Sequence, residues 1–199
     1  MTFKDKMFLD IAVQDLKDNG MKVVFSRYDR IRFEDDSSLV LGYFDSAKKI
    51  LKLANLEKNF STFIHEYNHF KQHLEKSEIW KKDLYSDLWD WVAGKIEYTP
   101  EKLQKRIAGC RDVELDCERR TLEMIKKFGL SVDLKEYTKE AAAYVYYYNY
   151  LAKNRKWFKR TEAPYNNKEI LAAMPKNLNG DFSKTPKRIW KLYEKYYGI

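Results

Sequence analysis

The sequence contains only two cysteines among 199 residues, Cys110 and Cys117, which argues against a secreted protein held together by several disulfide bonds. Both cysteines fall in a stretch that is predicted to be helical, seven positions apart, so a bond between them is not expected on geometric grounds. The chain also lacks any run of about 18 apolar residues, the length that a membrane-spanning helix requires. These absences predict a protein from a reducing compartment that does not enter the membrane.

Residues 1–20 lack the apolar core of a signal peptide, because charged side chains interrupt them throughout. We therefore expect a cytoplasmic protein. The sequence also lacks internal repeats, zinc-ribbon cysteines and a glycine-rich phosphate loop, so a dedicated nucleic-acid module is not visible in it.

The positive charge of the chain is concentrated in its last quarter. The net charge is +8, and residues 151–199 carry 12 Lys and Arg against four acidic residues, so they hold the whole surplus. Such an asymmetry fits a solvated basic face that aids solubility, and it also fits a surface that binds nucleic acid or an acidic partner. Both interpretations stay open at this point.

The order of predicted elements indicates an α+β fold. Phe3, Met7, Ile11 and Leu16, with Phe8 and Ala12, lie near one helical stripe, which predicts a helix that ends at Asn19-Gly20. The following segments are short and rich in β-branched and aromatic residues, and they predict a small, mostly antiparallel sheet with strands at about 21–28, 30–33, 39–44 and 49–54. Further helices are predicted at about 59–77, 79–95, from Thr99-Pro100 onward, and at 112–128, 134–153 and 186–197.

The sequence shows no convincing domain boundary. We therefore expect a single domain over residues 1–199, with a basic helical and looped extension at about 151–199.

The segment His65-Glu66-Tyr67-Asn68-His69 has the pattern H-E-x-x-H on a predicted helix. Residues four positions apart share a helical face, so His65 and His69 can present two imidazole nitrogens to one metal ion. Zn²⁺ with three protein ligands keeps one coordination position open for a water, and Glu66 lies where it can take a proton from that water. This pattern predicts a zinc-dependent peptidase that cleaves a protein or peptide substrate.

A third zinc ligand is expected from the later helix that contains Glu114 and Glu118. These acids are four positions apart, so one carboxylate can bind the ion while the other accepts the N–H of a ligand histidine. Glu114 is the expected ligand, and three other carboxylates on the same helix could bind the ion in its place: Asp112, Asp116 and Glu123.

The H-E-x-x-H helix followed by a glutamate helix resembles the gluzincin group of zinc peptidases. The element Glu114-Leu115-Asp116-Cys117-Glu118 is similar to the E-x-E-A-[DN] element of the ImmA/IrrE-type metallopeptidases. The resemblance covers residues 20–128 and implies a minimal zincin-like fold, with Glu114 as the third ligand and Glu118 supporting a ligand histidine. Cys117 stands where those proteins usually have alanine, and Glu118 where they usually have Asp or Asn.

Three further roles follow from the same interpretation. His73 lies about 12 Å along the helix axis from His65, so we assign it to the surroundings of the metal or to the surface rather than to the ligands. An oxyanion donor is expected from His73 or from the tyrosines of residues 144–150, although tyrosines at such spacing more often belong to a core. The strand at residues 49–54 is expected to offer its edge to the substrate.

Overall fold

The computed structural model describes residues 1–33, 39–80 and 87–198. Its mixture of helices and short strands confirms the α+β class. The chain divides into unit 1, which comprises Met1–Ser77 and Arg120–Val132, and unit 2, which comprises Glu78–Arg119 and Asp133–Ile199. Among the helices of the described ranges, none is both long and apolar enough to cross a membrane. The single domain remains a prediction.

Unit 1 begins with helix α1 (Phe3–Asp18), which starts in a capping box formed by Thr2 and Asp5. Its buried side chains are Asp5, Phe8, Ala12 and Leu16. Of the predicted stripe, Phe8, Ala12 and Leu16 are buried, whereas the other three members are exposed: Phe3, Met7 and Ile11. The prediction of one apolar stripe was therefore wrong, because these residues lie on two sides of α1.

Five short strands follow, and three of them form the main sheet of unit 1. The strands are β1 (Lys22–Ser26), β2 (Ile31–Arg32), β3 (Leu39–Val40), β4 (Gly42–Asp45) and β5 (Ile50–Ala54). The order in the main sheet is β1-β5-β4, with β5 parallel to β1 and antiparallel to β4, while β2 and β3 form a separate antiparallel pair.

The central position of β5 corrects the expectation that residues 49–54 offer an edge to a substrate. Both sides of β5 are already paired, so the edges of this sheet in the described chain are β1 and β4. The sheet is also less uniformly antiparallel than predicted, since its longest pairing, between β1 and β5, is parallel.

Helix α2 (Phe60–Leu74) follows β5 and is tied to the end of that strand. Asn59 stands at the N-cap position but makes no capping bond with its side chain. Its side-chain nitrogen instead donates to the carbonyl oxygens of Ala54, at 2.9 Å, and Asn55, at 3.2 Å. The helix ends before residue 77, the end predicted from the sequence. Its apolar side, including Phe63, Ile64 and Phe70, is buried as expected.

Gly42 brings strand β4 close to helix α2. A Cβ atom at this position would lie 2.8 Å from Cδ1 of Leu53 and 3.2 Å from Cγ2 of Thr62, which belongs to α2. Only a residue without a side chain fits such spacing without a shift of its neighbours.

Unit 2 is helical in its described part. Its helices are α3 (Leu88–Val92), the first part of α4 (Pro100–Phe128), α5 (Leu134–Asn154), α6 (Lys168–Ala173) and α7 (Lys187–Tyr197), with two short 3₁₀ turns at Arg160–Glu162 and Pro164–Asn166. Helix α4 is continuous over 29 residues, and its residues 120–128 belong to unit 1. The sequence predicted its two ends but not its continuity.

The helix predicted at residues 79–95 is much shorter in the structure. Residues 79 and 80 lie in a turn, and the helix that is present comprises only Leu88–Val92. Residues 81–86 lie outside the described part of the chain.

The core of unit 2 is built from aromatic side chains. Tyr147 is almost fully buried, and its ring contacts those of Trp157, Phe158 and Tyr193. Three neighbours in the tyrosine-rich run are buried as well: Tyr146, Tyr148 and Tyr150. This burial favours the core interpretation of the run over a catalytic one.

Candidate metal centre

Helix α2 brings the two histidines of the H-E-x-x-H motif together on one face. The imidazole centroids of His65 and His69 lie 4.6 Å apart, and the ring planes are nearly perpendicular, at 87°. His69 is 8% exposed, whereas His65 and Glu66 are half-buried. The burial of neighbouring apolar residues fixes this helix against the sheet, so the pair occupies a defined position.

The imidazole of His69 has a hydrogen-bond partner on its own helix. Nδ1 of His69 lies 2.8 Å from Oε1 of Gln72, and the Gln72 side chain is fully buried. Because Nδ1 is engaged in this bond, Nε2 is the nitrogen of His69 that is suited to bind a metal.

Within unit 1, helix α2 lies beside residues 120–128 of α4. The side-chain nitrogen of Asn68 donates to the carbonyl oxygen of Ile64 at 2.9 Å and to Oγ1 of Thr121 at 3.2 Å. Asn68 is 1% exposed and Thr121 is fully buried, so this bond joins the two helices in a buried environment. Asn68 directly precedes His69 in the sequence, so the bond limits how the ligand-bearing part of α2 can rotate.

The predicted ligand face of α4 lies in the part of the helix that belongs to unit 2. Glu114, Cys117 and Glu118 are three and four positions apart and therefore share one side of the helix. All three are buried, with exposures of 4%, 0% and 5%. Glutamate side chains are seldom fully buried, so two of them on one side of α4 are unusual.

Glu118 accepts a hydrogen bond within unit 2. The hydroxyl of Tyr137 on α5 donates to its Oε2 at 2.5 Å in a buried environment. Partial burial raises the pKa of nearby Glu140, and the negative charges of Glu136 and Glu118 raise it further. The support of a ligand histidine by Glu118 stays a prediction.

His65 and His69 can each offer a nitrogen to one metal ion, and these potential ligand atoms lie within 4.8 Å of each other. The role of Glu114 as third ligand stays a prediction. Neither cysteine is in a disulfide bond, and both are buried.

Two residues near the predicted ligands in the sequence were given no role there, Gln72 and Cys117. Each lies three positions from a predicted ligand, Gln72 after His69 and Cys117 after Glu114. A search of the i+3 positions for donors and acceptors could have found both, because these positions share a helical face.

His73 lies at the end of α2, where it is half-buried. Its ring centroid is 5.8 Å from that of Phe44 on β4, at an interplanar angle of 51°. This contact places it between the helix and the sheet, and its proposed role near the metal or as an oxyanion donor stays a prediction.

Comparison with known proteins adds no assignment: the chain matches no family model, no curated protein and no solved structure.

Proposed function

We propose that this chain is a zinc-dependent peptidase of the gluzincin type, similar to the ImmA/IrrE-type metallopeptidases, with a minimal zincin-like fold. The observation that carries the proposal is the pairing of His65 and His69 on one face of α2, with their ring centroids 4.6 Å apart and Gln72 bonded to Nδ1 of His69. Two imidazoles and a third ligand with a carboxylate or thiolate are a donor set that suits Zn²⁺.

The third ligand is proposed to come from α4, which offers two candidates. The resemblance to the gluzincins implies Glu114, and the buried thiol of Cys117 is a second donor of a kind that binds Zn²⁺. Both are buried, and they lie three positions apart on one side of the helix. A carboxylate would match the peptidase pattern, and a thiolate would also give a strong zinc site.

A bound zinc ion supplies a water of lowered pKa and polarises the peptide carbonyl. Glu66 is the proposed general base: it adjoins His65, is half-buried, takes a proton from the attacking water and passes it to the leaving amine. Since β5 is central in the sheet, the proposed docking edge for an extended substrate is β4, which packs against α2 near Gly42.

Metal analysis of the full chain, purified without a metal-affinity tag, tests this proposal first. We expect about one zinc per chain, and its loss in His65→Ala and His69→Ala because each removes an imidazole ligand. Glu114→Ala and Cys117→Ala identify the third ligand, since only the variant that lacks it loses tight binding. Wild-type protein that contains no zinc and takes up none on titration would overturn the proposal.

The catalytic role of Glu66 is tested with Glu66→Gln, which keeps the shape of the side chain but removes the base. We expect this variant to retain zinc and to cleave labelled casein about 10²- to 10⁴-fold more slowly than wild type. Equal cleavage by both proteins would refute the role of Glu66 as general base.

A second candidate function is binding of nucleic acid or an acidic partner by the basic residues 151–199. Two of the four acids in this region are engaged in ion pairs, Glu194 with Lys153 at 3.0 Å and Glu169 with Lys195 at 2.7 Å. Exposed lysines and an arginine remain along the region, including Lys184, Lys187, Arg188 and Lys191. This function is compatible with a peptidase.

A further inference from the structure

Gln72 is a fully buried amide one helical turn beyond His69. Its Oε1 lies 2.8 Å from Nδ1 of His69, and both side chains belong to α2, whose neighbouring residues are packed in the core of unit 1. A buried glutamine needs hydrogen-bond partners, and an imidazole nitrogen at this distance is one of them. The pair is therefore held in a fixed relative position by a rigid element.

We propose that Gln72 is a positioning residue that selects the tautomer of His69 and directs Nε2 to the metal. This inference rests on the proposed zinc site. A neutral imidazole carries one proton, so metal binding through Nε2 requires that proton to be on Nδ1. The carbonyl oxygen of Gln72 accepts this Nδ1–H and stabilises the tautomer that can bind zinc.

The chemistry of an amide at this position differs from that of the more common carboxylate partner. A carboxylate accepts the Nδ1–H and also increases the basicity of the ligand through its negative charge. Gln72 supplies the orientation without the charge. With its Oε1 facing Nδ1, the amide favours the tautomer whose Nε2 lone pair can bind a metal.

Zinc affinity of the full chain, measured by competition with a chromophoric chelator, tests the role of Gln72. Gln72→Leu has a similar volume but no acceptor, and we expect its affinity to be about 10- to 100-fold lower, the usual loss when the partner of a ligand histidine is removed. Gln72→Glu keeps an acceptor and adds a charge, so its affinity should equal or exceed that of wild type.

Asn59→Ala is the matched control for general damage to α2. Asn59 is also a buried amide at this helix, but it bonds to the end of β5 and lies ten positions before His69. We expect the control to lower the melting temperature and to leave zinc affinity unchanged. In the cobalt-substituted protein, the visible spectrum should change in Gln72→Leu and be retained in Gln72→Glu, a response that lost packing alone does not produce.

The outcomes separate this inference from the proposed function. A wild-type chain that binds no zinc refutes the zinc site itself. Zinc binding by wild type, together with equal affinity and an equal cobalt spectrum in Gln72→Leu, overturns only the role of Gln72. Circular dichroism shows whether the leucine variant is folded. If it is not, Gln72→Met takes its place, since methionine has a similar length and only a weak acceptor.

Discussion

Asp5 is an acidic residue with a fully buried side chain in unit 1. Its carboxylate accepts hydrogen bonds from the backbone N–H of Thr2 at 2.6 Å and of Ser131 at 2.8 Å, and from the hydroxyl of Ser131. Burial by itself raises the pKa of Asp5, but these bonds to the ionised form outweigh it and hold the pKa below 3.8. One side chain thus caps α1 and ties it to the segment after α4.

The lowered pKa of Asp5 predicts that its contribution to the free energy of unfolding depends on pH. A group whose pKa is lower in the folded state stabilises the protein above its unfolded pKa, and this stabilisation disappears as the pH falls through the folded pKa. We expect Asp5→Asn to reduce the free energy of unfolding by about 1–3 kcal/mol at pH 7. The difference from wild type should decrease progressively below about pH 4.

Urea unfolding at neutral and acidic pH measures the contribution of Asp5. Asp10→Asn is the control, because Asp10 is an exposed acid on the same helix, and its effect should be small at both values. A difference between wild type and Asp5→Asn that is equally large at neutral and acidic pH would contradict the proposed origin of the stabilisation.

At the scale of elements, helix α1 shows why the sequence predicted the helix but did not separate its buried face from its exposed one. Phe3, Met7 and Ile11 form an apolar stripe on one side, while Phe8, Ala12 and Leu16 form another. Apolar character alone does not distinguish the two stripes, and the buried one also includes the acid Asp5. The choice between the stripes depends on partners distant in the sequence, such as Ser131 and Phe128.

The two phenylalanines of α1 offer a matched test of which stripe faces the core. Phe8 is 2% exposed and contacts the rings of Phe60, Phe63 and Tyr67, whereas Phe3 is 77% exposed. We expect Phe8→Ala to cost about 3–5 kcal/mol of unfolding free energy, because it leaves a cavity. Phe3→Ala should change it by no more than about 0.5 kcal/mol. Denaturant unfolding measures both, and similar losses would contradict this orientation of α1.

The other elements differ in how far the sequence could predict them. Helix α2 was predicted well, because its apolar periodicity and the H-E-x-x-H spacing agree. The continuity of α4 was missed, since Gly109 weakens the helical signal in its middle. The central position of β5 in the sheet could not be predicted, because the apolar residues of Ile50–Ala54 do not determine which strands pair with β5.

The candidate site shows the same division between local and distant information. The pairing of His65 and His69 is local to one helix, so the sequence was sufficient to predict it. Whether Glu114 or Cys117 is the third ligand depends on the rotation of another helix by part of a turn, which residue spacing alone does not determine.

At the scale of the whole molecule, the basic region is not a detachable tail. Its apolar side chains belong to the core of unit 2, with exposures of 2% or less at Leu178, Phe182, Ile189 and Tyr193. Deletion of residues 151–199 would therefore destroy the unit and would not isolate the role of its charge. The role of the charge has to be tested by substitutions at exposed positions.

If the basic region binds nucleic acid, loss of the exposed lysines 184, 187 and 191 should change both the affinity and its dependence on salt. Each lysine that contacts a phosphate displaces a counterion, so each contributes about 0.9 to the slope of log affinity against log salt concentration on duplex DNA. We expect the combined substitution of Lys184, Lys187 and Lys191 by Gln to weaken binding of a labelled duplex at low salt. It should also reduce the slope by about 2–3. Fluorescence anisotropy at several salt concentrations measures both quantities.

The control for that experiment removes the same charge from unit 1, by glutamine at three exposed lysines: Lys6, Lys17 and Lys22. If the binding surface lies in unit 2, the control should bind with nearly the wild-type slope, because only lysines that contact phosphates contribute to the slope. Equal losses in both variants would instead mean that the duplex responds only to net charge. A wild-type chain that does not bind at low salt would refute the nucleic-acid function and leave the surplus charge as a solvated face.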